Sequence, residues 1–363
     1  MTLADRIYLR PTGFVDAPFG YDGQVLRLAG GLCFFAGFEL IETRDGKRVR
    51  QTLLPIEAID SHINSLPPEM AEQARAVLGH LTSPRAPLKA GARTIPLDQP
   101  QVMAILNVTP DSFSDGGAHA DPAGRGMDML RAGAALIDVG GESTRPGAKP
   151  VWEGDEIQRV QPVIQRLAAG GAAISVDTRK AAVMEVALDA GAGLVNDVSA
   201  LAWDDRALEV VARRGCPVVL MHHQGNPETM QHDPRYDDVL IEVYDWLEAR
   251  IAVALAAGID RSNILVDPGI GFGKTLRHNL AILNSLSLFH GLGCPIVLGA
   301  SRKRSIGALS QEAAADQRLG GSVALAVLGA AQGVQLLRVH DVFETVQALR
   351  VWRGLRDEAL SPV

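Results

Sequence analysis

The stretch LVDPGIGFGKT, residues 265–275, joins a short apolar run to a turn that is rich in glycine. Its last residues look like a phosphate-binding loop, whose pattern G-x-x-x-x-G-K-[ST] lets backbone N–H groups enclose a phosphate. Where that pattern requires its first glycine the chain has Pro268, which has no backbone N–H. The dinucleotide pattern G-x-G-x-x-G fails as well, because glycine alternates here with other residues. The stretch therefore indicates the end of a buried strand, at Asp267, followed by a tight turn.

Short apolar runs of this kind recur through the rest of the chain. There are eight: VMAILN, ALIDVGG, AAISVD, GLVND, CPVVLMH, NILVDPG, PIVLGAS and QLLRVHD. Continuous apolar runs are typical of parallel strands that are buried on both faces, and each interval can hold a helix. The clearest helix is RYDDVLIEVYDWLEARIAVALAAG, which ends at Gly258. Eight such units predict an α/β fold, a closed (β/α)8 TIM barrel; an open doubly wound sheet is less favoured because no switch point is evident.

The first hundred residues have a different pattern. Residues 24–43 predict strands or a hairpin, and two short helical stretches follow near residues 56–65 and 68–82. A proline-rich connection then leads into the first run of the barrel. We therefore divide the chain into a small α+β extension, residues 1–98, and a barrel, residues 99–363. The residues of the extension indicate no role.

The amino-acid composition argues against several classes of protein. The net charge is −7 and the pI about 5.7, which argues against a nucleic-acid partner. The three cysteines are far apart in apolar runs, which predicts buried thiols in a reducing cytoplasm. The N-terminus lacks the apolar core of a secretion signal, and the longest early apolar run is broken by Arg27 and Glu39. We therefore expect a cytoplasmic protein with no membrane partner.

Polar side chains follow nearly every apolar run. They are Asn107, Asp138, Asp177, Asn196, His222, Asp267, Ser301, Arg338 and His340. Turn formers are common after strands, but that explanation suits Arg338 and His340 poorly. Because barrel enzymes build their sites from the C-terminal ends of the strands, we expect these side chains to converge on one pocket.

The chemistry of these residues suggests two kinds of ligand group. Two aspartates and an amide, without metal-ligand spacing, suit a flat heterocycle that carries N–H donors. The basic residues beside Asn107 suit a phosphorylated group bridged by Mg²⁺; they are Arg302, Lys303, Arg304, Arg338 and His340. The loop NVTPDSFSDGG (107–117) reads as a lid or a solvated turn, and GGESTRPGA (140–148) as an anion-binding loop or a surface segment. Adjacent His222 and His223 point to opposite faces of a strand, so we do not expect them to share a metal.

Eight segments together resemble the dihydropteroate synthases of the folate pathway. They are ILNVTPDSFSDGG, LIDVGGESTRPGA, ISVDT, VNDVSAL, LMHHQGNPETMQ, DPGIGFGKT, GASRKRSIG and LLRVHDV, in the family's order. The resemblance implies a Mg²⁺-dependent barrel, usually homodimeric and a target of sulfonamides. Such enzymes join 6-hydroxymethyl-7,8-dihydropterin diphosphate to p-aminobenzoate and release pyrophosphate and 7,8-dihydropteroate.

The resemblance also implies roles for particular residues. The pterin site would comprise Asp177, Asn196, Asp267, Phe272 and Lys303. The pyrophosphate site would comprise Asn107, Arg338 and His340, with Asn107 as the Mg²⁺ ligand. The p-aminobenzoate site would comprise Phe113, Thr144, Arg145, Pro146, Ser301 and Arg304. The catalytic residues would be Lys303, Arg338, His340, Arg145 and Asp111.

Two departures from the family pattern matter. His223 stands where many members have methionine beside the pterin, and Arg304 stands where many have serine. Arg304 either pairs with the p-aminobenzoate carboxylate or points to solvent. A pterin-binding methyltransferase is the competing enzyme class, but it should lack Lys303 and the RVH segment. A non-catalytic paralogue is the third hypothesis, and the intact first and second loops argue against it.

Overall fold

The N-terminal extension is an antiparallel sheet covered by two helices. The computed structural model describes residues 5–109, 121–143, 150–225, 230 and 233–361. The sheet contains β1 (Arg6–Val15), β2 (Leu26–Arg27), β3 (Phe34–Arg44) and β4 (Lys47–Pro55), and β3 pairs with the other three. The helices are α1 (Ile59–Ser65) and α2 (Pro68–Thr82), which confirms the two predicted helical stretches. The sequence prediction covered β2 and most of β3 but missed β1 and β4. Arginine, proline and glycine interrupt β1, and β4 is an exposed, polar edge strand.

The side chains of β1 alternate between two hydrophobic cores. Ile7 and Leu9 pack with α1 and α2, whereas Tyr8 belongs to the barrel core. This split follows from the two-residue period of a strand. The Tyr8 ring meets Tyr244 edge to face at 5.3 Å, and its hydroxyl donates to Asp245 at 2.8 Å. The sheet therefore lies between its own helices and the outside of the barrel.

A short hairpin covers the N-terminal end of the barrel. It consists of β5 (Leu88–Ala90) and β6 (Arg93–Ile95), within the stretch that the sequence predicted only as a connection. Its apolar side chains share one cluster with Met103, Leu136 and other barrel residues. A Cβ on Gly193 would lie 1.9 Å from the backbone nitrogen of Gly91, so the two backbones touch. The division of the chain at residue 98 stays a prediction.

Eight parallel strands form the barrel and confirm the predicted fold. They are β7 (Gln101–Asn107), β8 (Leu136–Gly140), β9 (Ile174–Asp177), β10 (Leu194–Asp197), β11 (Val218–Met221), β12 (Ile264–Asp267), β13 (Val297–Leu298) and β14 (Leu336–Val339). Hydrogen bonds link them in the order β12-β11-β10-β9-β8-β7-β14-β13. A parallel bridge between Val266 and Ile296 joins the two ends, which excludes the open sheet.

Helices follow the barrel strands along the chain. They are α3 (Pro122–Arg131), α4 (Glu153–Ala169), α5 (Ala181–Asp189), α6 (Ala207–Arg214), α7 (Val239–Ala256), α8 (Leu276–Leu283), α9 (Arg304–Leu309), α10 (Leu319–Ala331) and α11 (Val342–Ala359). The predicted long helix is α7, which begins after Asp238 because that carboxylate accepts the N–H groups of Leu240 and Ile241. Within the described ranges, no helix is both long and apolar enough to cross a bilayer.

Candidate active site

Arg338 brings the ends of four strands together. From β14 its Nε donates to Asp138 on β8 at 2.6 Å, and its Nη2 donates to Asp177 on β9 at 2.6 Å. Asn196 on β10 donates through Nδ2 to the same Asp138 oxygen at 3.0 Å. The guanidinium therefore reaches across β7 to two carboxylates, and the predicted convergence of strand ends holds for these residues.

The charges in this group do not balance. One guanidinium faces two buried carboxylates, so the ionised group carries an excess negative charge. Burial raises the pKa of Asp177, Arg338 lowers it, and the neighbouring Asp138 raises it again. Burial alone lowers the pKa of Arg338, but the two carboxylates raise it above its ordinary value, so the arginine stays charged. Asp177 Oδ1 has no hydrogen-bond partner among the described residues, which suits a ligand that brings N–H donors.

Asp267 ends β12 as a third buried carboxylate. Its Oδ1 accepts the backbone N–H of Gly269 at 2.7 Å, which orients the carboxylate at the start of the glycine-rich turn. Burial raises the pKa of Asp267, while the Gly269 hydrogen bond and the nearby charges of Lys303 and Arg338 lower it. A buried carboxylate held in this way can accept two parallel N–H groups from an aminopyrimidinone edge.

Phe272 and Lys303 form one wall beside this turn. The Lys303 ammonium lies 4.2 Å from the centroid of the Phe272 ring, within the range of a cation–π interaction. The side chain of Lys303 also runs along the turn, since a Cβ on Gly271 would lie 3.4 Å from Lys303 Cδ. Two predicted pterin residues from different barrel loops are therefore in contact.

The predicted pyrophosphate residues lie near the same group. Asn107 Oδ1 and Asp177 Oδ2 lie 3.7 and 3.6 Å from the position that a Cβ on Gly140 would occupy. Gly140 on β8 pairs with Asn107 on one side and with Asp177 on the other, and its missing side chain leaves room between them. At the end of β14, the backbone N–H of His340 donates to Ser301 Oγ at 3.2 Å, and His340 Nδ1 is 3.1 Å from that oxygen.

Comparison with known proteins agrees with this geometry. The family model described as pterin binding enzyme matches residues 103–340. A dihydropteroate synthase of Escherichia coli K12 is 48% identical over 268 residues, which are 73% of this chain and 94% of that relative. The chain belongs to the dihydropteroate synthase family.

Two solved structures of this family are close to the chain. A Yersinia pestis dihydropteroate synthase, in complex with a sulfonamide drug, is 48% identical with a TM-score of 0.71, covering 75% of this chain and 100% of that one. A Xanthomonas albilineans dihydropteroate synthase, in complex with 7,8-dihydropteroate, is 46% identical with a TM-score of 0.68, covering 75% and 99%. The resemblance stated from the sequence is therefore confirmed.

Several predicted site residues lie outside the described residues. They are Asp111, Phe113, Thr144, Arg145 and Pro146. Arg304 is described: it is the first residue of α9, and its side chain is exposed. The roles given to all of these residues, and to the other predicted site residues, stay predictions.

The sequence placed Asp138 among the side chains expected to converge but assigned it no ligand, whereas in the structure it accepts from two of the other site residues. It lies within β8, is fully buried, and accepts from both Arg338 and Asn196 through one oxygen. Because the Asn196 NH₂ group donates to Asp138, the side-chain oxygen of Asn196 remains available to accept from a ligand. The sequence did carry a signal for this role: Asp138 lies inside an apolar strand run. A carboxylate in such a position requires a cation or hydrogen-bond donors nearby.

A second buried group of charges was also missed. Glu142 accepts from Lys180 at 2.9 Å, from Arg179 at 3.2 Å and from the backbone N–H of Val151 at 3.0 Å. Lys180 pairs with Glu156 as well. Burial alone raises the pKa of Glu142, but its hydrogen bonds hold the pKa below the ordinary value. These contacts fix the chain on both sides of residues 144–149.

Proposed function

We propose that this chain joins 6-hydroxymethyl-7,8-dihydropterin diphosphate to p-aminobenzoate, giving 7,8-dihydropteroate and pyrophosphate. The observation that supports it most is the set of buried acceptors Asp177, Asn196 and Asp267 beside a charged Arg338, in a chain 48% identical to a dihydropteroate synthase. The acceptors match the donor edge of a pterin, and the cation matches a diphosphate. Sulfonamides are then expected to compete with p-aminobenzoate, and the Yersinia pestis relative binds such a drug.

The first steps of the reaction concern orientation and charge. Asp267 accepts the two parallel N–H groups of the aminopyrimidinone ring, while Phe272 and Lys303 border the ring. As the bond between the methylene carbon and the diphosphate oxygen breaks, negative charge grows on the leaving group and positive charge on the methylene carbon. The proposal assigns the former to Arg338 and His340, and the latter to the Asp138 and Asp177 carboxylates in their ionised form.

The amine of p-aminobenzoate then completes the transfer. Its nitrogen forms the new bond to the methylene carbon and loses one proton, so no protein nucleophile is required. Lys303, Ser301 and His340 lie on the loops after β13 and β14, on the same side of the barrel as Asp267. Their shared position supports a p-aminobenzoate site beside the pterin ring.

We propose Mg²⁺ as the metal of this site, held by Asn107. Mg²⁺ prefers oxygen ligands, and most of these usually come from water and substrate phosphate. A single protein ligand, the amide oxygen of Asn107 at the end of β7, is therefore sufficient. When bound, the ion neutralises charge on the diphosphate. The strand register supports this placement, because Asn107 and Asp177 pair with Gly140 on its two sides. Isothermal titration of pyrophosphate with and without Mg²⁺ tests it, and Asn107→Ala is expected to abolish the metal-dependent gain in affinity.

The test of the proposed function is release of pyrophosphate. We expect release that requires the pterin diphosphate, p-aminobenzoate and Mg²⁺ together, with 7,8-dihydropteroate formed in equal amount. Omission of each component in turn is the control. Pterin binding without any release would instead favour a non-catalytic paralogue, and methyl transfer from a reduced folate would favour the methyltransferase.

Lys303→Ala is expected to lower kcat/KM by about tenfold or more, because it removes the cation beside the pterin ring. The measurement is steady-state pyrophosphate release under saturating Mg²⁺. Lys89→Ala is the matched control, since Lys89 is exposed on the hairpin at the opposite end of the barrel. A rate close to that of the unmodified protein would remove Lys303 from the site.

We also propose that the chain forms a homodimer in the cytoplasm. The packed helices α10 and α11 expose large apolar side chains: Leu328, Phe343, Val351 and Leu355 are each more than half exposed. Exposed apolar side chains on neighbouring helices are typical of an interface. All three cysteines are free and buried, which suits a reducing compartment. Sedimentation equilibrium that gives the mass of a single chain would contradict the dimer.

A further inference from the structure

Lys274 lies buried behind the turn that carries the pterin residues. Only 2% of its surface is exposed, and its Nζ lies 2.8 Å from His222 Nδ1, 2.9 Å from the carbonyl oxygen of Gly269 and 3.1 Å from that of Phe272. An ammonium group has three N–H donors, so each donor has one acceptor. We propose that Lys274 is a positioning residue: it fixes the turn at residues 268–273 and thereby holds Asp267 and Phe272 where they bind the pterin. The inference rests on the proposed function.

The turn itself has little intrinsic preference for one shape. Gly269 and Gly273 both have positive φ, 69° and 64°, and both lie against the loop after β11. A Cβ on Gly269 would be 1.8 Å from the carbonyl oxygen of His222, and one on Gly273 would be 2.3 Å from that of Gln224. Glycine is therefore required for this close approach, but it also leaves the chain free to adopt other conformations. A restraint from outside the backbone is needed. Asn279 accepts from the N–H of Gly271 and Tyr236 donates to the carbonyl oxygen of Gly273, but Lys274 is bonded to the two residues nearest the ligand groups, Gly269 and Phe272.

The contacts of Lys274 lead directly to the ligand-facing groups. Gly269 accepts from Lys274 through its carbonyl oxygen and donates through its N–H to Asp267 Oδ1 at 2.7 Å. Phe272 accepts from Lys274 through its carbonyl oxygen, while its ring lies 4.2 Å from Lys303 Nζ. Lys274 thus contacts the two residues that place the carboxylate and the ring, and is itself buried.

His222, on the loop after β11, accepts the remaining hydrogen bond of Lys274. Burial lowers the pKa of His222 to about 2, with Lys274 adding to the effect, so the imidazole is neutral and its Nδ1 accepts from Lys274. The ring packs edge to face on Trp246 at 4.9 Å, which fixes its orientation. Through its hydrogen bonds to His222, Gly269 and Phe272, Lys274 therefore joins the end of β11 to the turn after β12.

A role in stability alone explains this lysine poorly. Burial lowers the pKa of Lys274 to about 7, although Asp267 raises it, which shows that the charged form is costly in this position. Buried charges contribute little net stability, because the cost of removing them from water offsets their hydrogen bonds. A specific arrangement of the turn is a better reason for the residue than stability.

The experiment compares Lys274→Met with Lys47→Met, a control on the exposed strand β4. The probe is 6-hydroxymethylpterin, and the measurements are its Kd by fluorescence titration, the KM for p-aminobenzoate and the thermal midpoint. We expect Lys274→Met to weaken pterin binding by about tenfold or more, with the number of binding sites per chain unchanged and the KM for p-aminobenzoate within about twofold. The Lys47→Met control should match the unmodified protein in pterin affinity, in KM and in thermal midpoint.

A second pair of variants keeps the test valid if Lys274→Met does not fold. His222→Asn places an oxygen where Nδ1 stood and should keep pterin affinity within about threefold, whereas His222→Leu should weaken it as Lys274→Met does. Unchanged affinity in Lys274→Met, or equal affinity in the two His222 variants, overturns the inference alone. Failure of the unmodified protein to bind the probe overturns the proposed function and the inference with it.

Discussion

Arg338→Ala is expected to lower kcat/KM for pyrophosphate release by about 100-fold or more, and the free energy of unfolding by about 3–5 kcal/mol. The loss of activity follows from removing the cation beside the leaving diphosphate. The loss of stability follows because Asp138 and Asp177 are buried and share this one guanidinium, so both lose the cation that compensates their charge. Steady-state kinetics and urea denaturation measure the two effects separately.

Two further variants separate charge from geometry at Arg338. Arg338→Lys keeps the charge, but a lysine is a point donor and cannot bridge two carboxylates as the planar fork does. It should recover part of the stability and little of the activity. Adding Asp138→Asn to Arg338→Ala should recover stability as well, because it removes one buried unpaired charge, while activity stays low. A near-normal kcat/KM in Arg338→Ala would contradict the assignment of Arg338 to the active site.

The barrel and the general position of the site could be predicted from the sequence. Parallel strands that are buried on both faces leave short, continuous apolar runs, and these runs do not depend on distant partners to be recognised. The fold then brings the C-terminal ends to one face, so Asp177, Asn196 and Arg338 could be grouped although far apart in the chain. Their convergence in one hydrogen-bonded group agrees with that reasoning.

The pairing inside the site could not be predicted from the sequence. Arg338 on β14 meets Asp138 and Asp177 because closure of the barrel places β14 two and three strands from β8 and β9. Nothing local to these residues records that neighbourhood. Asp138 therefore looked like one of several polar residues near strand ends, and Lys274 looked like part of a failed nucleotide pattern.

The extension was harder to predict because its strands depend on tertiary contacts. The two strands of the β5–β6 hairpin are three residues each, and their apolar side chains are buried only against the barrel. Short hairpins of this kind are marginal alone, so local sequence carries a weak signal. Removal of residues 1–98 would also delete this cover of the barrel. A truncation that ends before Leu88 is the better test of the extension's own role.

Asp267→Asn is expected to weaken binding of 6-hydroxymethylpterin by about 100-fold, which corresponds to about 3 kcal/mol. The amide keeps the size of the carboxylate and can still accept from Gly269, but it presents an NH₂ group to a ligand edge that consists of donors. Isothermal titration measures the affinity. Asp128→Asn, on the exposed pair of α3, is the matched control.

The same substitution should not destabilise the fold, and this separates binding from folding. Burial raises the pKa of Asp267 in the folded protein above its unfolded value. The folded state therefore holds the proton more tightly, and ionisation lowers the free energy of unfolding as the pH rises between the two values. The asparagine variant does not ionise, so at neutral pH it should be at least as stable as the unmodified protein, and below the unfolded pKa the advantage should disappear. A variant that binds the pterin normally would show that Asp267 is not its acceptor, whereas one that loses stability at neutral pH would show that the carboxylate serves the fold instead.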